Sequence, residues 1–166
     1  MRTLLLLLAA TATLVQDKPD FSGRLILAEA TRGNDIARVL VVRQTVARTN
    51  VRGEPIAPYF NEISIEREFA SATRAETHAI GIVGGFVSGT AAGSAGPRSQ
   101  HAVTWDGNAL VFENGTYTGK LPETGVWAER REVWSLDADG RLRVSITTRG
   151  SADVAGTTVS HTYRRS

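Results

Sequence analysis

The chain has 166 residues, with 19 basic and 17 acidic side chains, a formal net charge of +2 and no cysteine. The missing cysteine excludes disulfides, zinc–thiolate sites and cysteine nucleophiles. The basic residues are scattered arginines with two lysines, Lys18 and Lys120; without a basic stripe interleaved with aromatics, nucleic acid is not an expected partner.

The opening MRTLLLLLAATATLV reads as an export signal. Arg2 is its positive start. The apolar run Leu4 to Val15 suits a signal core of roughly 7–15 residues and is too short for the roughly 20 of a membrane-spanning helix. Ala10-Thr11-Ala12 offers a small-x-small cleavage site, with a cut nearer Gln16 as the other candidate; a buried first helix or an uncleaved anchor is the competing reading. No cysteine follows the run, so lipid attachment there is excluded. The expected organisation is a signal over 1–16 that is removed, then one domain over 17–166. No stable membrane span is expected after removal, and the location expected is periplasmic or extracellular. About 150 residues can build one sizeable core.

Asp17-Lys18-Pro19-Asp20 is a polar leader, and Phe21-Ser22-Gly23 opens a strand to about Ala30. Gly33-Asn34-Asp35 is a turn. Residues 36–49, rich in β-branched side chains, predict a long strand or two joined at a bend. Residues 50–60, with Gly53, Pro55 and Pro58, read as a loop. NEISIEREF alternates: Ile63, Ile65 and Phe69 share one face, Glu62, Ser64, Glu66 and Glu68 the other, and Arg67 falls on the apolar face. Residues 77–87 form an apolar run with Gly84-Gly85 as a bulge or close approach, and 88–99 a small-residue loop.

Two hairpins follow. Val103 and Trp105 lead through Asp106-Gly107-Asn108 to Leu110 and Phe112. Trp134 and Leu136 lead through Asp137-Ala138-Asp139-Gly140 to Leu142, Val144 and Ile146. Asp-Gly and its neighbours supply the positive φ of tight turns, and the period-2 flanks bury one side chain in two. A link from Gly115 to Gly125 joins the hairpins, with Asn114-Gly115 read as a turn. In the last segment Val159, His161 and Tyr163 alternate. The class is therefore all-β, a single antiparallel meander of eight or nine strands. Closure into a barrel hides its edges; a two-sheet sandwich is the runner-up.

The segments KPDFSG, WDGNALVFE, EVWSLDADGRLRVSI and the closing TYRR resemble a group of small exported bacterial proteins with lipocalin-like β-barrels. The resemblance spans most of the chain after the leader, and its motifs are turn and core motifs. It implies a barrel and an internal cavity but no substrate. Arg24-Leu25 stand where tryptophan is usual in the group, so another residue must plug that barrel end.

No G-x-S-x-G elbow is present, no Gly-Lys-Ser/Thr follows the glycines of 81–96, and Asp137-x-Asp139-Gly140 lacks the later ligands of a calcium loop. Catalytic residues, cofactors and a metal site are not expected. His78, His101 and His161 lack the short spacing of a zinc pair. Polar residues with inward parity carry more information. If Trp134 and Leu136 face inward, so do Glu132 and Arg130; Arg67 shares its face with Ile65 and Phe69, and His161 goes with Val159 and Tyr163. One barrel end is then apolar and aromatic, the other polar. A buried charge must be paired or meet a ligand.

The expected ligand-binding set is Arg67, Trp105, Arg130, Glu132, Trp134, His161 and Tyr163, with Arg67 as polar anchor beside Trp105 and Trp134. The corresponding function is a non-enzymatic binding module for a small hydrophobic or anionic molecule. The alternative is a structural or protein-interaction barrel of the cell envelope, its interior filled and Arg67 paired with Glu132.

Overall fold

The computed structural model describes residues 18–31, 36–81, 98–118 and 126–166. They form nine antiparallel strands: β1 (Gly23–Ala30), β2 (Val39–Thr49), β3 (Pro55–Glu68), β4 (Thr73–Ala79), β5 (Arg98–Asp106), β6 (Ala109–Thr118), β7 (Val126–Leu136), β8 (Leu142–Gly150) and β9 (Asp153–Arg165). The strands make one sheet in the order β4-β3-β2-β1-β9-β8-β7-β6-β5, a meander curled into a nearly closed barrel. β9 returns to pair with β1, so the seam falls between β4 and β5. The described residues form this single sheet and no two-sheet sandwich.

Alternation builds the interior. Leu25, Leu40, Val42, Ile63, Ile65, Val103, Leu110, Phe112, Trp134, Leu142, Val144 and Tyr163 are all buried and pack as one cluster. Their neighbours along each strand point outward, as a period of two requires. The hairpin turns carry the positive φ that the sequence suggests, 56° at Gly107 and 73° at Gly140. In the second turn Asp137 Oδ1 accepts from the Asp139 and Arg141 amides at 3.0 and 2.9 Å. That carboxylate organises its own loop.

Several boundaries differ from the sequence reading. The loop at 50–60 ends earlier, because β3 starts at Pro55. Thr49 pairs with Pro55 and Ala47 with Tyr59, so Ile56, Ala57 and Pro58 lie opposite Arg48. The irregular register accommodates a proline that has no N–H to give the ladder. Residues 114–115 are not a turn; both lie inside β6. A Cβ on Gly115 would come within 3.0 Å of the Tyr117 ring, which lies over the glycine. Leu136 has the parity of Trp134 but sits at the barrel rim, 38 % exposed. The strand expected over 77–87 is centred earlier, at β4, whose register partners on β3 run from Glu68 to Glu62. The Gly33 turn, Gly84-Gly85, most of the 88–99 loop, the 119–125 link and the leader through Asp17 lie outside the described residues. No described helix is long and apolar enough to cross a membrane.

Phe21, just before β1, plugs one end. Its ring stacks on Trp105 at 6.0 Å between centroids and meets Trp134 edge-on at 5.9 Å. The leader crosses beneath the barrel and is tied on both sides. On one, the Gln44 amide donates to Ser22 Oγ at 3.0 Å; on the other, Lys18 Nζ donates to the Gly107 carbonyl at 2.6 Å. Phe21 therefore closes this end of the barrel.

Candidate functional site

Above the aromatic floor the inward positions turn polar. Glu132 on β7 is 3 % exposed. Its Oε1 accepts from Arg67 Nη2 at 3.0 Å and from the Trp134 indole N–H at 2.6 Å, and its Oε2 accepts from Arg130 Nη2 at 2.9 Å. Spacing explains the Trp134 and Arg130 bonds: residues two apart on one strand share a face. Arg67 arrives from β3 across the barrel. Its Nε donates to Glu76 Oε1 on β4 at 2.9 Å, and its guanidinium lies 5.7 Å from the Trp134 ring centre. One buried cation thus joins two carboxylates above an indole.

The charges fit this arrangement. Burial alone would lower the Arg67 pKa, but Glu132 and Glu76 outweigh it and raise it. Burial would raise that of Glu132; Arg67, Arg130 and the indole N–H hold it below the usual carboxylate range. Glu76 is lowered to about 2, chiefly by the His78 ring, against burial and with help from Arg67. His78 Nε2 lies 3.4 Å from Glu76 Oε2, without the alignment of a good hydrogen bond. On its other side His78 Nδ1 is 2.8 Å from His101 Nε2 on β5, and His101 Nδ1 is 2.5 Å from Asn114 Oδ1 on β6.

β9 supplies the remaining polar wall. Tyr163 donates its hydroxyl to the Ala37 carbonyl at 3.0 Å, and burial is the main cause pushing its phenol up to about 12. His161 is 5 % exposed, and its Nδ1 has no hydrogen-bond partner among the described residues. Burial lowers its pKa despite the nearby Glu132, which favours the neutral ring.

These groups surround an open cavity of about 430 Å³. Arg67, Arg130, Glu132, His161 and Tyr163 line it together with Glu76, His78 and Asn114, and Phe69, Phe112, Val144 and Ile146 supply apolar wall. Five of the seven residues expected from sequence thus meet around one space. Trp105 and Trp134 do not line it: they pack with Phe21 and Phe112 in the closed end, where aromatic volume leaves no room. Glu76, His78 and Asn114 were missed as site residues. The alternation of Arg74, Glu76 and His78 was the available signal, but a polar inward face does not stand out in a search for apolar periodicity.

A second hollow, of about 410 Å³, is lined by residues of β5 to β9 and shares Asn114 and Arg130 with the first. Glu129 there accepts from Tyr117 at 3.0 Å and from Arg149 at 2.7 Å, and Arg130 is held by Glu132. Among the described residues no three histidine, aspartate or glutamate side chains converge as a metal-binding set. No model of a known protein family matches the chain, and no curated protein matches it.

Proposed function

We propose that the protein is an exported, lipocalin-like binding barrel that takes a small, largely apolar molecule with an anionic head group. The observation carrying this reading is the open cavity of about 430 Å³ in the polar half, within the usual size range of small-molecule sites. Phe69, Phe112, Val144 and Ile146 offer a path for the apolar body. Arg67 is a poor anchor because two carboxylates already hold it. Arg130 is the better one: it gives one N–H to Glu132, while its side chain is 47 % exposed. The unpartnered Nδ1 of His161 is the second polar group offered to a ligand. Export rests on Arg2, the apolar run after it and Ala10-Thr11-Ala12, and the lipocalin-like affiliation on the resemblance of the turn and core segments.

The Arg67–Glu132 pair favours the second reading, a structural or protein-contact barrel, because it satisfies the buried charge without a ligand. Native mass spectrometry with dodecanoate as probe separates the two. The binding reading expects a one-to-one adduct, weakened about tenfold or more by Arg130→Met, in line with a charge-assisted contact of roughly 1.5–3 kcal/mol. No adduct, or one indifferent to Arg130, favours the structural barrel. N-terminal sequencing of the protein from its source tests export; an intact Met1 in a membrane fraction would contradict it.

A further inference from the structure

The barrel closes at a place where its sheet does not. β4 and β5 are the two end strands and share no ladder. Described hydrogen bonds cross this seam at two points. The Gly81 amide donates to the Val103 carbonyl at 2.9 Å, and His78 Nδ1 meets His101 Nε2 at 2.8 Å. The rings are also in contact, 4.6 Å between centroids. A histidine pair therefore joins two strands that the backbone leaves largely unjoined.

We propose that the His78–His101 pair is a proton-operated latch that holds the β4–β5 seam shut when at most one of the two rings is charged and releases it when both are. The number of protons on the pair sets its state. A hydrogen bond between two ring nitrogens needs one N–H and one lone pair. With both rings neutral the pair is closed by a single proton. A proton added to His78 is also accommodated, because its Nε2 faces Glu76 while its Nδ1 still donates to His101. A further proton on His101 puts two N–H groups head-on at a distance that allows only one. This holds whichever way the Asn114 amide lies, because a doubly protonated pair has no acceptor left between the rings.

Neighbouring charges do not rescue the doubly charged state. Glu76 from β4 is ionised well below the histidine range and balances one imidazolium, but Arg67 from β3 already shares it. Glu132 from β7 is held by Arg67 and Arg130. Arg74 from β4 and His161 from β9 share the cavity wall with His78 and add no anion. Asn114 from β6 is uncharged, and Phe112 presents only its ring at 5.5 Å. Since His78 lines the cavity, release of the latch would widen the same space from its side.

The chain has no cysteine, so paired spin labels can be placed at Ala79→Cys on β4 and Gln100→Cys on β5, both exposed and each next to a latch histidine. Between about pH 8 and about pH 5, where histidine changes charge, the label separation should grow reversibly by about one strand spacing, roughly 5 Å. Far-UV circular dichroism should stay constant. His101→Gln, which keeps a hydrogen-bonding side chain but cannot titrate, should abolish the change; His78→Gln provides the same test should His101→Gln not fold. A separation that ignores pH, the same widening without either histidine, or widening accompanied by loss of β signal would overturn the latch. The measurement uses no ligand, so its outcome is independent of whether dodecanoate binds.

Discussion

The two ends of this barrel are built on the same alternating strands but held together by different forces. At one end Phe21, Trp105, Trp134 and Phe112 fill the interior, with ring centres 5.2 to 6.0 Å apart between successive partners. At the other, Arg67, Glu76, Glu132 and Arg130 face one another across the barrel and leave a hollow beside them. Aromatic volume excludes water and leaves no space, whereas charges need fixed geometry and keep space open. Trp134 belongs to both: its ring is in the packed floor and its N–H holds Glu132. A small all-β domain without disulfides can thus pack one end tightly and leave the other hollow.

The largest effect should come from the floor. Trp134→Ala should cost about 3–5 kcal/mol in chemical denaturation, the range for deleting a fully buried aromatic; a loss below about 0.5 kcal/mol would show that the end is not packed. Arg67→Met should cost slightly less, about 3 kcal/mol, because it removes a partner of the buried Glu132 while Arg130 and the indole still serve that carboxylate. Adding Glu132→Met to Arg67→Met should recover part of that loss. If the double variant is no more stable than Arg67→Met alone, the cost lies in packing and not in the stranded charge.

Acid should act selectively on the polar half. Glu132 and Glu76 have folded-state values below their unfolded ones. They therefore stabilise the fold above the ordinary carboxylate range, and that contribution is lost as pH falls, for Glu76 down to about 2. His161 works in the same direction at higher pH. Its lowered value means the unfolded chain takes up the proton first, so stability declines below the ordinary imidazole range. The melting temperature should fall in two stages on acidification, and His161→Gln should diminish the upper one; an unchanged profile would contradict the assignment.

Tyr163→Phe is a smaller perturbation, expected to cost about 1 kcal/mol through loss of the hydroxyl bond to Ala37. It should also remove an alkaline destabilisation. The folded phenol is raised to about 12, so its contribution is present below the unfolded value and lost as pH climbs through the folded one. Smallest of all, Arg131→Gln should change stability by less than about 0.5 kcal/mol, because its contacts to Asp106 and Glu113 are long and exposed.

The packed end was largely legible in the sequence and the polar end only in part. Trp134, Leu110 and Leu142 flank Gly-containing turns with a clean period of two, and that pattern alone places them inside. Arg67, Glu132 and Arg130 were reached through parity, as polar residues on otherwise apolar faces. Parity says nothing about height in the barrel, however. Trp105 and Trp134 were therefore assigned to the hollow when they form its opposite, the plug with Phe21. Glu76 and His78 stayed hidden because β4 turns a polar face inward. The His78–His101 contact depends on a nine-strand closure that brings two sheet ends together, and no local pattern encodes it. Pro55 and Pro58 misled for a related reason: they suggest a loop until an irregular register admits them to a strand.

The central claim is that the polar half is a ligand cavity and the aromatic half is not. Calorimetric titration with dodecanoate of wild type and of Ile146→Trp, which puts bulk into the hollow beside Glu132 and keeps every charged residue and the plug, tests it most directly. Saturable one-to-one binding is expected for wild type, and its loss in a folded Ile146→Trp protein. Undiminished binding to that variant, or none to wild type, would contradict it.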